Sequence, residues 1–298
     1  MASLFSYYFF RSLVNDSAVR TPDPHYYTRF FPGFQSKFLT KKTCFFSLSS
    51  SDSRVSLYTP VILCYDTCMK RQIDLSEISD GKLYQIDDLC RLGCSDCLGC
   101  SSCCHDTEGL ILDPLDVARL VKASGRDFMS LIERELELSM VDEMLLPKMR
   151  MDQRNACHFL DANGRCSIHP VRPGICRLFP LGRYYENDDY RYFLQTLECR
   201  KHDRYKLRIR DWLDEKDAEA YHDYIMSWHR FLKLMEEKLP LLTEESRSSV
   251  TCYILKMFFL APYQASEAPG SEFDTADFYS EYYARMFRVG EALEVLGN

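Results

Sequence analysis

Six cysteines fall within fifteen residues in the run Cys90-Arg-Leu-Gly-Cys94-Ser-Asp-Cys97-Leu-Gly-Cys100-Ser-Ser-Cys103-Cys104, and no other feature narrows the possible folds as far. Two thiols separated by two residues can turn onto one ion at about 2.3 Å without strain, and small intervening residues let backbone amides approach the sulfurs. Adjacent Cys103 and Cys104 point different ways and are expected to serve different sites or different metals. A second group follows at Cys157, Cys166, Cys176 and Cys199, and Cys157 and Cys166 flank Asn163-Gly164, a hairpin turn signal that would bring them together. The candidate ligands are therefore Cys94, Cys97, Cys100, Cys103, Cys104, Cys157, Cys166, Cys176 and Cys199, and eight thiolates suffice for two four-coordinate sites.

Fourteen cysteines in 298 residues are about three times an ordinary share. A chain of this length builds a core without disulfides, and nothing after Met69 signals secretion, so the thiols are read as reduced and the protein as cytoplasmic. Cys252 reads as a buried small hydrophobe, as do Cys44, Cys64 and Cys68. His105 and His158, each beside a ligand cysteine, read as donors to the ligands, while His169, one turn from the hairpin, is a candidate nitrogen ligand that eight sulfurs filling two tetrahedral sites make superfluous. Arg172 and Arg177 flank Cys176, where a guanidinium could offset thiolate charge.

The formal charge of −7 argues against a nucleic-acid partner, because phosphate binding relies on clustered Lys and Arg. The one basic stretch, Arg200 to Arg210, reads as a solvated helix face. No run reaches the roughly 18 apolar residues that would span a bilayer. The best candidate, Ile254 to Leu260, is interrupted by Lys256 and reads as a buried helix, so no membrane partner is expected. Residues 1–68 differ from the rest: no Glu, seven Lys or Arg against four Asp, eleven Ser and fifteen Phe or Tyr in clumps without a 3.6 or 2.0 period. They form a non-globular leader, read as lying upstream of a natural start at Met69. Residues 69–205 are read as the cysteine-cluster domain, and residues 206–298 as a helical part packed on it.

Along this body, Asp80-Gly81 marks a turn. Asp113-Pro114 opens a helix that Gly125 ends, and Asp127 caps a second through Phe128, Leu131, Ile132, Leu136 and Met140. Hairpins are expected around Asn163-Gly164 and around Asn187-Asp188-Asp189. Beyond Arg210, apolar residues from Trp212 to Leu239 recur at three- and four-residue steps as one amphipathic helix, and two further helices cover Ser248 to Leu260 and Ala276 to Leu296. The fold class is α+β, mainly helical, with irregular metal-binding loops and one or two short β-hairpins.

The chain resembles the YkgJ-type cysteine-cluster proteins, a family described as carrying a zinc- or iron-chelating domain. The resemblance rests on Cys97-Leu-Gly-Cys100-Ser-Ser-Cys103-Cys104, on Cys157-His-Phe-Leu-Asp with Gly164-Arg-Cys166-Ser-Ile-His-Pro, on Arg172-Pro-Gly-Ile-Cys176-Arg-Leu-Phe-Pro180, and on Cys199. It covers about residues 85 to 205. It implies metal binding by Cys97, Cys100, Cys103, Cys104, Cys157, Cys166, Cys176 and Cys199, with Cys94 as an added ligand. A similar cluster in flagellin lysine-N-methylases raises methyl transfer by analogy alone.

Zinc and iron both accept four thiolates in a tetrahedral array, and so does an iron–sulfur cluster, so spacing does not separate them. Three classes of function are open: a module that stores, delivers or senses zinc or iron; an iron–sulfur redox or methyl-transfer enzyme; and a structural metal whose acidic helical neighbour recruits a protein partner. No nucleophile, general base or phosphate loop is evident, and the sequence does not decide whether the chain is an enzyme.

Overall fold

A computed structural model describes residues 75–93, 100–107, 109–199, 204–267 and 272–296. The leader expected over residues 1–68, with Cys44, Cys64 and Cys68, lies outside the described residues, as do the candidate ligands Cys94 and Cys97.

The first half runs α1 (Leu75–Ile78), β1 (Leu89–Gly93), a 3₁₀ turn at Ser102–Cys104, α2 (Pro114–Ser124), α3 (Phe128–Arg134), β2 (Leu136–Val141) and β3 (Met144–Met149). A 3₁₀ turn at His169–Val171 leads to α4 (Gly174–Leu178), β4 (Leu181–Glu186), β5 (Asp189–Leu194), β6 (Tyr205–Arg208) and α5 (Ile209–Leu213). The C-terminal part holds α6 (Ala218–Lys238), α7 (Glu244–Leu255) continued by a π turn at Lys256–Leu260, α8 (Gln264–Glu267) and α9 (Thr275–Leu296). The strands form three two-stranded antiparallel sheets, β1-β6, β2-β3 and β4-β5, so the molecule is mainly helical α+β.

Local chemistry sets the helix ends. The Asp113 carboxylate accepts the Asp116 N–H at 2.9 Å, and the Asp116 carboxylate accepts the Asp113 N–H at 3.3 Å, a reciprocal capping box that starts α2. Gly125, at φ 63°, stops it in the left-handed region. Asp127 and Asp217 cap α3 and α6 by accepting the N–H groups of Ser130 and Ala220.

The structure corrects four expectations. The helix begun at Asp127 stops at Arg134, and Leu136 and Met140 lie in a strand. A four-residue step fits both a helix and a strand, and the alternation Leu136-Glu137-Leu138-Ser139-Met140 is the true pattern. Asp142 and Glu143 both take positive φ, 46° and 66°, closing β2 onto β3 in a two-residue turn. Around Asn163-Gly164 there is a single bridge, Leu160 to Cys166, instead of a ladder. The Asp161 carboxylate takes the N–H groups of Asn163 and Arg165, each at 2.8 Å, and this side-chain turn displaces strand pairing. The expected helix from Trp212 to Leu239 is two: α5 ends where Asp214 adopts φ 54°, and α6 follows. The described part of the basic stretch is mostly the exposed strand β6, antiparallel to β1, and only its end, Arg210, lies in a helix, α5.

The second expected hairpin is present, with Asn187 and Asp188 at φ 55° and 59° in the turn between β4 and β5. One buried cluster spans both halves, from Leu92, Leu115, Leu131 and Leu146 to Tyr224, Phe258, Phe278 and Tyr282. Full burial of side chains of this size contributes roughly 1.5–3 kcal/mol each, so this shared cluster holds the helices and the hairpins together. Within it the Leu115 N–H donates to the Tyr224 hydroxyl at 3.0 Å, tying α2 to α6. Arg285 of α9 donates to the carbonyls of Met257, Ala261 and Pro262 at 2.6–2.8 Å, closing the end of the π turn. Among the described residues no helix is long and apolar enough to cross a membrane.

Candidate metal centre

The two cysteine groups meet through the backbone. Ser101, at φ 47°, turns the chain into the 3₁₀ segment, where the Cys104 N–H donates to the Ser101 carbonyl at 2.8 Å. The Cys104 carbonyl then accepts the Cys157 N–H at 2.8 Å, and the Asn155 carbonyl accepts the Asp106 N–H at 2.8 Å. His105 bridges Ala156 between them. Residues 104–106 thus pair with residues 155–157, far apart in sequence, as one short antiparallel contact. Asp152 shapes the approach by accepting the N–H groups of Arg154 and Ala156 at 2.7 and 2.9 Å.

The loop beyond Cys157 folds back by the Leu160–Cys166 bridge, with the Ser167 N–H donating to the Phe159 carbonyl at 2.8 Å. A Cβ at Gly164 would lie 3.6 Å from the Ser101 hydroxyl oxygen, so this turn sits against the first cysteine segment. Gly164 itself holds φ 71°, a left-handed conformation suited to glycine. Cys176 arrives on α4, whose first residue, Gly174, follows Pro173.

Five thiols feel one another's charge. Cys104 donates its S–H to Cys103, which lowers the Cys103 pKa to about 7 and raises that of Cys104. Burial is the largest cause raising Cys157, Cys166 and Cys176, followed by neighbouring thiolates and, for Cys176, the Asp116 carboxylate. Backbone amides of Phe159 and Ile168 oppose the rise at Cys157 and Cys166. Arg172 lowers Cys103 and Cys166, while one of its guanidinium nitrogens donates to His169 Nε2 at 2.5 Å. Such a group resists becoming a set of bare thiolates, and a cation that binds sulfur supplies the missing positive charge. The donor set therefore suits zinc or iron.

The nine described cysteines are all free thiols, Cys90 and Cys252 buried in the core. Cys100 and Cys199 are each half-buried. Among the described residues no three His, Cys, Asp or Glu side chains stand in ligating geometry. His105, through Nδ1, lies 3.0 Å from the Ser101 carbonyl, and His158 is exposed.

Arg177 does not face the thiols. It donates to the carbonyls of Arg172, Pro170 and Asp214 at 3.0, 2.8 and 3.0 Å, and pairs with Glu215 at 3.8 Å. Of the two arginines beside Cys176, Arg172 alone acts on thiol charge. Sequence reasoning passed over Asp116, whose carboxylate accepts the Gly174 N–H at 2.6 Å. Its only signal was its place three residues after Asp113, which reads as a helix cap.

Residues 96–206 match the family model CxxCxxCC, whose description is "Putative zinc- or iron-chelating domain". No curated protein and no solved structure matches the chain.

Proposed function

We propose, for a chain whose residues 96–206 carry the CxxCxxCC domain, that the protein holds zinc or iron through cysteine thiolates supplied by both cysteine groups. Cys103, Cys104, Cys157, Cys166 and Cys176 form the nucleus of the centre, and Cys94, Cys97, Cys100 and Cys199 complete it. The observation that carries this reading is the hydrogen bond from the Cys157 N–H to the Cys104 carbonyl, 2.8 Å, which joins the two groups where five thiols feel each other's charge. Bound there, the ion offsets thiolate charge, and the chain supplies the cage: the Ser101 turn, the Asp152 and Asp161 side-chain turns, and α4. The role that follows is a module that stores, delivers or senses the metal.

The test is anaerobic purification with elemental analysis and an absorption spectrum. A colourless protein with stoichiometric zinc, or a coloured one with iron, supports the reading, and acid-labile sulfide with bleaching by dithionite points to an iron–sulfur centre. Protein of native fold that takes up neither metal overturns it.

A further inference from the structure

Cys176 reaches the cluster from a helix of five residues, which has little rigidity of its own. Two residues on one side of α2 hold that helix. Asp116, buried at 3% exposure and 58 positions away in sequence, accepts the Gly174 N–H at 2.6 Å through Oδ1. Its Oδ2 accepts the Asp113 N–H at 3.3 Å, so both carboxylate oxygens are engaged. One turn later Arg119 donates to both carboxylate oxygens of Glu215 at 2.8 and 2.7 Å, and Glu215 also pairs with Arg177, the residue after Cys176. The contact at Gly174 tolerates no side chain, since a Cβ there would stand 2.6 Å from the Tyr221 hydroxyl oxygen and 3.6 Å from Asp116 Oδ1. Tyr221 therefore leaves room for glycine alone at the start of α4, beside the Asp116 carboxylate that takes its N–H.

We infer that Asp116 is a positioning residue of the metal centre: by accepting the Gly174 N–H, its buried carboxylate sets the backbone from which Cys176 reaches the ion. The inference rests on the proposed thiolate centre and names a residue outside the cysteine set that shapes it. Gly174 N–H is one of the unpaired donors at a helix start, and in these buried surroundings it requires an acceptor. Groups that orient ligands in this way contribute roughly 10–100-fold to metal affinity.

The test uses the full chain, Zn²⁺ affinity by chelator competition, and the thiolate-to-metal charge-transfer band of the Co²⁺-substituted protein. Asp116→Asn keeps an oxygen acceptor at Oδ1 for the Gly174 N–H but sets an amide nitrogen against the Asp113 N–H, so it is expected to lose less affinity than Asp116→Ala. Asp116→Ala should lose about 10–100-fold and show a weaker charge-transfer band, the mark of a thiolate withdrawn from the ion. Gly174→Ala approaches the same contact from the other side and remains informative should Asp116→Ala fail to fold. It should weaken affinity and band together, and adding Tyr221→Phe, which removes the colliding oxygen, should restore both. Parent-like affinity and spectrum in folded Asp116→Ala or Gly174→Ala, with Zn²⁺ binding intact in the parent, would overturn the positioning role alone. A parent chain that binds neither Zn²⁺ nor Co²⁺ overturns the thiolate centre and the positioning role with it.

Discussion

Glu215 receives both terminal guanidinium nitrogens of Arg119, at 2.8 and 2.7 Å, with the two side chains 6% and 8% exposed. Removing one partner of such a buried pair leaves the other charge without compensation and costs about 3–5 kcal/mol. Glu215→Ala is therefore expected to lower the denaturant midpoint of the metal-free protein sharply, with Glu215→Gln intermediate because it retains one acceptor. A midpoint unchanged in Glu215→Ala would show that the pair is not desolvated.

The two arginines beside Cys176 should separate in experiment. Arg177 serves four backbone carbonyls within hydrogen-bond distance, so Arg177→Ala should destabilise the fold by about 2–4 kcal/mol, the cost of several lost charged hydrogen bonds. Arg172→Ala should leave stability within about 0.5 kcal/mol, as for a surface change. Because Arg172 lowers Cys103 and Cys166, its loss raises both pKa values and leaves less thiolate at neutral pH. Alkylation of Cys103 in the metal-free protein at pH 7, followed by mass spectrometry, should slow several-fold in Arg172→Ala.

Burial at the start of α2 raises Asp113 from 3.8 to about 6, with backbone hydrogen bonding and two arginines opposing. A folded-state pKa above the unfolded value means that the folded protein holds the proton more tightly. Its contribution favours folding below about pH 4 and is lost as pH rises toward about 6. Asparagine caps a helix as well as aspartate does, so Asp113→Asn should match the parent near pH 4 and exceed its stability near pH 7 by about 1–3 kcal/mol. Thermal unfolding of the metal-free proteins across that range checks the sign, and a parent that gains on the variant with rising pH would refute it.

The helix starts at Asp113 and Asp127 were readable because single side chains decide them, each accepting an N–H of the first turn, whereas the start capped by Asp217 lay hidden inside one continuous apolar pattern from Trp212 to Leu239. The β4-β5 turn was readable for the same reason, since Asn187 and Asp188 tolerate positive φ. The β2-β3 hairpin was hidden because Leu136 and Met140 satisfy two periods at once, and because Glu143 gives no warning of a left-handed turn. At the site, spacing named the candidate thiols but not how the two groups meet. The pairing of residues 104–106 with 155–157 and the reach of Asp116 to Gly174 are tertiary contacts without a local signature. Likewise, proximity to Cys176 in sequence made Arg177 look like Arg172, whereas α4 turns its guanidinium toward the carbonyls of residues 170, 172 and 214.

Serine replacements should divide the cysteines by place. Cys104→Ser, Cys157→Ser, Cys166→Ser and Cys176→Ser are each expected to lower the bound metal and loosen the central region, because thiolate binding and local folding are coupled. Cys252→Ser should leave the metal content unchanged, since that thiol is buried in α7. Metal analysis beside circular dichroism separates the two groups.

X-ray absorption at the metal edge of the purified protein tests the thiolate centre most directly. The expected first shell is sulfur, three to four atoms per ion at about 2.3 Å. A first shell of nitrogen and oxygen alone, at about 2.0–2.2 Å, would contradict the assignment of these cysteines as the ligands.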